Sequence, residues 1–360
     1  MLRIAFELPE VFELVHMNDL GAVESTAYLV QFDSVHGTWE HSADADGDFV
    51  VLTDKKRPGR TLRVPYTRCK EPAALAAAYK AAGVALVLEC TGVFLTRAAL
   101  APYFDACGVR KVLVSAPVKD PQAVLNIVYG VNHDAYDSAV DHIVTAASCT
   151  TNCIAPVVKV IHEKLGIVRG CITTIHNITN TQTLLDAPNS KKSDLRRARS
   201  GLVNLAPTST GSATAIALIF PELKGKLNGL AVRVPLTNSS ITDCVFDVSR
   251  TTSPEEVNAL LAAAAAEGPL KGILGFETRP LVSTDYVNDT RSGIVDAECT
   301  QVIDGTMVKI YVWCAASARL AFALSPLTSL LRTRSCRYDN ESSCPRYGYL
   351  AAAVTRLRMR

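Results

Sequence analysis

The stretch Ala147-Ser148-Cys149-Thr150-Thr151-Asn152-Cys153, with the apolar run after it, is the most informative part of the chain. A serine hydroxyl can accept a hydrogen bond from a first-turn backbone N–H, so Ser148 is a good residue to begin a helix. Apolar residues recur at helical spacing from Ile154 to Leu165, and Gly166 ends the pattern. We therefore predict a helix with Cys149 in its first turn, where N–H groups and the helix dipole favour a thiolate.

Cys149 has the surroundings of a reactive thiol. A lone cysteine is more often an inert residue of the core, with apolar neighbours. Here the neighbours are polar, and a nucleophilic cysteine also needs a base. Of the seven histidines, His176 stands out, because it ends a strand-like segment and precedes a polar loop, 177–182. The alternative for His176 is a structural residue at a strand end.

The bulk composition narrows the class of protein. The 360 residues are long enough for two domains, and with 48% hydrophobic residues they can bury substantial cores. A net charge of +2 gives no indication of nucleic acid or an anionic membrane as partner, and no apolar run reaches the length of a membrane helix. Met1 is not followed by a signal peptide pattern, so we expect a cytoplasmic protein.

The cysteines predict free thiols. Their number, eleven, is odd, and no Cys-x-x-Cys pair occurs, which favours a reducing compartment over a disulfide framework. Cys149 and Cys153 are spaced as two zinc ligands could be, but no cysteine or histidine follows at finger spacing. We predict no metal site.

Two motifs together resemble phosphorylating glyceraldehyde-3-phosphate dehydrogenases. They are Ser-Cys-Thr-Thr-Asn-Cys at 148–153 and His-x-x-Thr-x-Thr-Gln at 176–182. The resemblance extends from around Leu14 to Trp313 and resumes at Tyr338. It implies Cys149 as nucleophile, His176 as base, NAD as cofactor, a small phosphorylated aldehyde as substrate and a homotetramer.

The resemblance also implies two anion sites, for which hydroxyls, backbone N–H groups and arginines are suited. The substrate phosphate would be held by Thr179, Thr181 and Arg233. The incoming inorganic anion would be held by Ser148, Thr150, Arg196, Thr210 and Gly211. Cofactor contacts would come from Asp19, Thr91, Gly92, Ser115 and Asn340, with Asp19 on the adenosine ribose, favouring NAD over NADP.

Strand and helix patterns change at the cysteine motif. Up to residue 148 they alternate, as in a Rossmann-type α/β domain, and 149–313 shows the long alternating strands of an α+β domain with an antiparallel sheet. The family pattern then continues with Tyr-Asp-Asn-Glu, found here only at 338–341. We therefore predict an insertion at 314–337 and a remnant of the C-terminal helix at 338–360.

The dinucleotide-binding fingerprint is not found before Asp19. A Gly-x-Gly-x-x-Gly turn is expected about 20 residues upstream, and residues 1–8 resemble only the tail of the helix that follows that turn. We expect the first strand and phosphate loop to be missing, which would leave two strands with unpaired edges.

The implied reaction begins when His176 takes the proton of Cys149. The thiolate attacks glyceraldehyde 3-phosphate, oxidation gives a thioester, and phosphate releases the acyl group. The segments 176–182, 194–199 and 237–243 resemble the branch associated with arsenate resistance, in which arsenate gives 1-arseno-3-phosphoglycerate. The alternatives are an erythrose-4-phosphate dehydrogenase, a degenerate homologue that binds without catalysis, and a cofactor-free thiol hydrolase or acyl transferase.

Overall fold

The computed structural model describes residues 1–189, 194–314 and 353–356, and it leaves the side chains of 212–214 and 353–356 undescribed. The chain divides into two compact units. The first comprises Met1–Ile127, Asp134–Ala147 and Leu320–Arg360, and the second comprises Val128–His133 and Ser148–Arg319. The predicted insertion at 314–337, apart from Cys314, and most of the predicted helix at 338–360 lie outside the described residues.

The first unit follows the predicted strand–helix alternation. Its helices are Leu2–Glu7 (α1), Val23–Gln31 (α2), Ala76–Ala82 (α3) and Arg97–Asp105 (α4), with a 3₁₀ helix at Pro72–Leu75. Its strands up to Ala147 are Glu13–Asn18 (β1), Ser42–Asp46 (β2), Phe49–Thr53 (β3), Thr61–Thr67 (β4), Leu86–Glu89 (β5), Lys111–Val114 (β6), Leu125–Asn126 (β7) and Ile143–Thr145 (β8).

The second unit combines long strands with three helices. The helices are Cys149–Leu165 (α5), Ser212–Ile219 (α6) and Pro254–Ala266 (α7), with 3₁₀ helices at Leu195–Ala198, Pro221–Leu223, Gly268–Leu270 and Ser283–Tyr286. The strands are Ile167–His176 (β9), Ala206–Ser209 (β10), Leu227–Arg233 (β11), Ser240–Val248 (β12), Leu274–Glu277 (β13), Gly293–Ile303 (β14) and Met307–Cys314 (β15). The last described strand, Ala353–Arg356 (β16), belongs to the first unit.

One sheet runs through the first unit, in the order β2-β3-β4-β1-β16-β5-β6-β8-β7. Strands β5, β6, β8 and β7 are parallel to one another, and β1 is parallel to β4. Strands β5, β6 and β8 are buried along their whole length. That burial explains their continuous apolar sequence, since helices cover both faces of a parallel sheet.

Strand β16 corrects the prediction of unpaired edges at β1 and β5. It lies between them and pairs antiparallel with both, so that Ala353 faces Met17 on one side and Leu88 on the other. The backbone groups of β1 and β5 that we expected to be unpaired thus have partners. These four residues are a strand and not part of the C-terminal helix that we predicted.

The second sheet is mixed, whereas the sequence analysis predicted an antiparallel one. Its order is β10-β11-β9-β12-β15-β14-β13. Four of the six neighbouring pairs are antiparallel, but β11 pairs parallel with β9 and β13 pairs parallel with β14. Buried and half-buried residues alternate along β12, as expected for a strand with one face on the core, but such alternation does not indicate strand direction.

Helix α5 is the central helix of the second unit. It packs on the neighbouring helices α6 and α7 and on strands β14 and β15, and it buries Val157, Val158 and Ile161 completely. The segment Val128–His133, predicted in the first domain, belongs to the second unit. The reason is Gly130, whose backbone (φ 81°) lies so close to Pro269 that a Cβ there would be 2.6 Å from the Pro269 carbonyl oxygen.

Across the described ranges, no helix combines the length and the apolar character that crossing a membrane requires.

The close approach of β14 to α5 gives a test of this packing. A Cβ on Gly293 would lie 2.4 Å from the Cys153 carbonyl oxygen, so Gly293→Ala must push helix and strand apart. We expect a loss of about 1–3 kcal/mol in the free energy of unfolding, typical of overpacking. The measurement is the thermal and urea unfolding of the purified protein.

The matched control is Gly201→Ala in the same unit, where the nearest atom to the new methyl group is Gln182 Nε2 at 3.4 Å. Equal stability of the two variants would contradict the proposed contact between β14 and α5.

Candidate active site

The beginning of α5 is built as predicted. Ser148 is the N-cap, its Oγ accepts a hydrogen bond from the Thr151 N–H (3.2 Å), and Cys149 is the first residue of the helix. Gly166, with a positive φ of 73°, ends the helix by donating to the carbonyl oxygens of Ile161 and His162. The predicted position of Cys149 in the first turn is therefore confirmed.

The structure brings Cys149 and His176 together. His176 is the last residue of β9, and β9 lies between β11 and β12. The Cys149 Sγ and the His176 Nε2 are 3.6 Å apart, which is hydrogen-bonding distance for sulfur. Two side chains 27 positions apart thus form a thiol–imidazole pair, the arrangement that nucleophilic cysteine chemistry requires.

The Cys149 thiol is more strongly protonated than the sequence predicted. Burial raises its pKa, and the neighbouring Cys314 raises it further, whereas the hydroxyl and N–H of Thr150 and the guanidinium of Arg233 act in the opposite direction. The net shift is upward. The N–H groups of the helix start favour a thiolate, as expected from the sequence, but burial outweighs them and the pKa of the thiol lies above its ordinary value. A base must take the proton.

His176 is suited to be that base, because it is neutral. Burial lowers its pKa to about 4, and the positive charges of Arg233 and Arg197 add to the effect. The imidazole is 7% exposed. At neutral pH it therefore has one ring nitrogen that can accept a proton.

Two groups compete for the His176 Nδ1. The Asn177 carbonyl oxygen lies 2.8 Å away and requires a proton on this nitrogen. The Arg233 Nη1 lies 2.5 Å away and requires a lone pair, since a guanidinium can only donate. One tautomer satisfies only one of these contacts. The choice decides whether Nε2, the nitrogen facing Cys149, carries a proton or accepts one.

Asn177 holds the end of β9 in place. Its N–H donates to the Ser240 Oγ (3.2 Å), and the Ser240 hydroxyl donates back to the Asn177 Oδ1 (3.0 Å). The side-chain amide of Asn177 donates to the carbonyl oxygens of Ile178 and Thr237. The carbonyl next to His176 is therefore fixed by a bonded, buried side chain.

A cluster of hydroxyls around one arginine lies beside this pair. The Thr179 and Thr181 hydroxyl oxygens are 2.9 Å apart. The Arg197 guanidinium donates to the Thr181 Oγ1 (2.5 Å) and to the Thr208 Oγ1 (2.9 Å). Guanidinium and hydroxyl donors at this spacing are the usual ligands of a phosphate.

The Asp194 carboxylate reaches this cluster by accepting a hydrogen bond from the Thr208 hydroxyl (3.2 Å), without pairing with its arginines. Within residues 1–189 and 194–314, no carboxylate forms an ion pair with Arg197 or Arg233. The buried Arg233 Nε has no hydrogen-bond partner there either. Burial, and then Arg197, lower the pKa of Arg233 to about 10. Two close, partly buried cations without a counter-ion indicate a site for an anion.

Two adjacent arginines, Arg196 and Arg197, point in different directions. Arg196, assigned to the anion from the resemblance, is exposed, and its Nη1 donates to the Pro207 carbonyl oxygen (3.2 Å). The guanidinium that reaches the threonines belongs to Arg197. Both arginines lie in a 3₁₀ helix capped by Asp194, so adjacent side chains point in different directions.

The residues predicted for the second anion lie at two helix starts. Ser148 and Thr150 are at the beginning of α5, and Thr150 donates to the Cys149 sulfur. Thr210 and Gly211 directly precede α6, of which Gly211 is the N-cap. Helices α5 and α6 pack against each other, and backbone N–H groups at helix starts are suited to bind anions.

The predicted cofactor residues of the first unit lie at one edge of its sheet. Strands β1 and β5 run in the same direction, since both are antiparallel to β16, and β6 is parallel to β5. Asp19, Thr91, Gly92 and Ser115 all follow the carboxyl ends of these strands. Dinucleotides bind at this edge in doubly wound sheets. Asn340 lies outside the described residues.

Hydrogen bonds within the protein orient two of these residues. The Asp19 Oδ1 accepts from the Gly21 N–H (3.1 Å), which orients the carboxylate. Thr91 is bound through its N–H and hydroxyl to the buried Glu89 (2.7 and 2.5 Å), and Gly92 is exposed with a φ of 67°. In the sheet, the position between β1 and β5 is occupied by β16. Among the described residues, no strand at this position leads through a glycine-rich turn into a helix.

Three residues at the second-unit site were missed from the sequence. They are Arg197, Thr208 and Asn177. Arg197 is one of two adjacent arginines, and the sequence gives no sign of which one turns inward. Thr208 lies in β10 at a buried position between exposed neighbours, so strand alternation could have identified it.

Known protein families match both units of the chain. A family model for the glyceraldehyde 3-phosphate dehydrogenase NAD binding domain matches residues 1–97, and one for the C-terminal domain matches residues 148–316. Glyceraldehyde-3-phosphate dehydrogenase 3 of Nostoc sp. is 55% identical over 317 residues, covering 87% of this chain and 88% of the relative. The enzyme of Geobacillus stearothermophilus is 45% identical over 313 residues, again covering 87% and 88%. The chain belongs to the glyceraldehyde-3-phosphate dehydrogenase family and is an NAD-dependent, phosphorylating dehydrogenase.

Proposed function

We propose that this protein oxidises glyceraldehyde 3-phosphate and transfers the acyl group to an inorganic oxyanion. The observation that carries the proposal is the contact between Cys149 and His176 beside two arginines without counter-ions. A thiol and a base alone would also suit a hydrolase. The unneutralised positive charge next to them requires an anionic substrate, and the family relatives carry glyceraldehyde 3-phosphate in their names.

The substrate phosphate binds to Thr179, Thr181 and Arg233 in this proposal, with Arg197 as the fourth ligand. Arg197 already connects Thr181 to Thr208, and Arg233 has an unsatisfied Nε. The incoming anion binds near the helix starts, with ligands from Ser148, Thr150, Thr210 and Gly211.

Substrate binding also prepares the base. When the phosphate attracts the Arg233 guanidinium, the competition at the His176 Nδ1 ends in favour of the Asn177 carbonyl oxygen. The proton of the imidazole then lies on Nδ1, and Nε2 can accept the proton of the Cys149 thiol. Binding of the substrate phosphate thus favours formation of the thiolate next to the aldehyde with which it reacts.

The remaining steps use the same two side chains. The Cys149 sulfur attacks the aldehyde carbon, and the protonated His176 Nε2 stabilises the oxyanion that forms. NAD, when bound, supplies the two-electron acceptor for the oxidation, and Asp19, Thr91, Gly92 and Ser115 would hold it. Cys149 then carries the acyl group as a thioester until phosphate or arsenate attacks its carbonyl carbon.

We also propose that arsenate serves as an alternative anion, giving 1-arseno-3-phosphoglycerate. The support is the resemblance of segments 176–182, 194–199 and 237–243 to the branch associated with arsenate resistance. The protein is proposed to act as a homotetramer, in keeping with its family, which light scattering would test.

Activity and its dependence on the thiol can be measured directly. We expect NADH formation from glyceraldehyde 3-phosphate with NAD and either anion, and a loss of at least about a thousandfold in Cys149→Ser, because the hydroxyl is a far weaker nucleophile. Cys171→Ser, which changes an exposed cysteine of β9, is the control and keeps full activity.

Other outcomes would identify the alternatives. A higher kcat/KM for erythrose 4-phosphate than for glyceraldehyde 3-phosphate would identify erythrose 4-phosphate as the preferred substrate. Ester hydrolysis by Cys149 without NAD would indicate a hydrolase instead of a dehydrogenase. Phosphate binding without any turnover would indicate a binding protein.

The pair Arg197→Ala and Arg196→Ala tests which arginine holds the phosphate. Hydrogen bonds to charged groups are worth about 1.5–3 kcal/mol, so Arg197→Ala should lower kcat/KM for glyceraldehyde 3-phosphate about tenfold to a hundredfold. Arg196→Ala removes only a bond to the Pro207 carbonyl and should stay near the parent value. The reverse order would assign the substrate phosphate to Arg196 and contradict the proposed role of Arg197.

The effect of Arg233 on the base can be followed by titration. Because the Arg233 charge helps to keep the His176 pKa at about 4, Arg233→Gln should raise that pKa toward the ordinary 6.5. The imidazole would then bind a proton at higher pH, and the acid limb of kcat/KM would move to higher pH with it.

NMR titration of the ring signals measures the shift of the His176 pKa independently of turnover. Arg196→Gln is the control, since this exposed residue is not among the charges that act on His176. An unchanged His176 pKa in Arg233→Gln would contradict the proposed coupling.

A further inference from the structure

A second thiol lies against the candidate nucleophile. Cys314 is the last residue of β15, is 1% exposed, and its Sγ donates to the Cys149 carbonyl oxygen at 3.7 Å. It is also the first residue of the segment in which the sequence departs from the family pattern. The resemblance places a tyrosine directly after Trp313, so this thiol is a feature of the present chain.

The sheet holds Cys314 in this position. β15 pairs with β12 so that Cys314 faces Ser240, the residue that bonds Asn177. The same end of β15 receives the Cys153 thiol, whose Sγ donates to the carbonyl oxygens of Val312 (3.8 Å) and Trp313 (3.5 Å). The start of α5 thus rests on the last residues of β15, and two sulfur atoms lie close to Cys149.

Cys149 and Cys314 also affect each other electrostatically. Cys314 is, after burial, the strongest influence that raises the pKa of the Cys149 thiol. Neither residue is part of a disulfide in this structure. The Cys314 sulfur therefore lies next to the Cys149 backbone, and a thiol beside an oxidised cysteine can capture it as a disulfide.

We propose that Cys149 and Cys314 are a disulfide-forming pair, in which Cys314 captures the peroxide-oxidised nucleophile. A peroxide accepts two electrons from the Cys149 thiolate, which becomes a sulfenic acid while the peroxide O–O bond breaks. The Cys314 sulfur then attacks the Cys149 sulfur. The S–O bond breaks, the S–S bond forms, and the hydroxyl leaves as water with the Cys314 proton.

Cys153 is the less suitable partner, although it is closer in sequence. It lies one turn further along α5, where Cβ atoms four residues apart are separated by about 5–6 Å. A disulfide requires about 3.5–4.5 Å between these atoms, so a Cys149–Cys153 bond would have to unwind the start of the helix. Cys314 belongs to a different element and approaches Cys149 from the side of the sheet.

The different exposures of the two thiols suit Cys149 to react with the peroxide and Cys314 to capture the oxidised sulfur. Cys149 is half-buried and accessible to a small peroxide, whereas Cys314 is buried. Cys314 is thereby protected from direct oxidation and reacts after Cys149. The disulfide would stop turnover, protect Cys149 from irreversible oxidation to a sulfinic acid, and be reversed by a dithiol.

The test is a thiol map of the full-length protein after treatment with hydrogen peroxide. Free thiols are alkylated, the protein is digested without reductant, and cross-linked peptides are identified by mass spectrometry. We expect a Cys149–Cys314 peptide pair, the loss of two alkylatable thiols per chain, and recovery of both with dithiothreitol. The variant Cys153→Ser should give the same pair.

The variant Cys314→Ser should lose the cross-link and accumulate Cys149 sulfinic acid, which dithiothreitol does not reduce. A thermal melt of the reduced variant shows whether it folds, and Cys314→Ala replaces it if it does not. The proposal is overturned if the oxidised parent protein contains a Cys149–Cys153 bond, or if Cys149 reaches the sulfinic acid while Cys314 remains alkylatable. These maps do not depend on dehydrogenase activity.

Discussion

The contact between the Cys149 sulfur and the His176 imidazole is the interaction on which the rest of the site depends. It joins the first residue of α5 to the last residue of β9, so it exists only if both elements end at the right place. The Ser148 cap determines where the helix begins. The bonded side chain of Asn177 determines how the strand ends. Ser148 and Asn177 thus position the pair without taking part in the reaction themselves.

Electrostatics sets the protonation states of this pair. Burial keeps the thiol protonated and the imidazole neutral, which is the resting arrangement that a proton transfer needs. The same burial makes the positive charges of Arg197 and Arg233 costly without a partner. In the proposed function, the phosphate of the substrate relieves that cost, so that the same groups provide binding energy and prepare the base.

The sequence allowed most of the second-unit site to be predicted, and the errors have clear causes. The helix from Cys149 and the strand ending at His176 follow from local patterns and were placed within a residue. The choice between Arg196 and Arg197 depends on how one turn of 3₁₀ helix faces its surroundings. The upward shift of the Cys149 pKa was not predicted, because a helix N-terminus can be recognised in the sequence, whereas the burial around it cannot.

The candidate nucleophile, the cap that begins its helix, the two-unit organisation and the family were determined by the sequence itself, because each depends on residue type and short-range spacing. Tertiary structure alone decided that β16 lies between β1 and β5, that the second sheet is mixed, and that Cys314 lies against Cys149. These features depend on which distant strands become neighbours. Strand order and direction are set by long-range pairing, of which a single sequence carries no local sign.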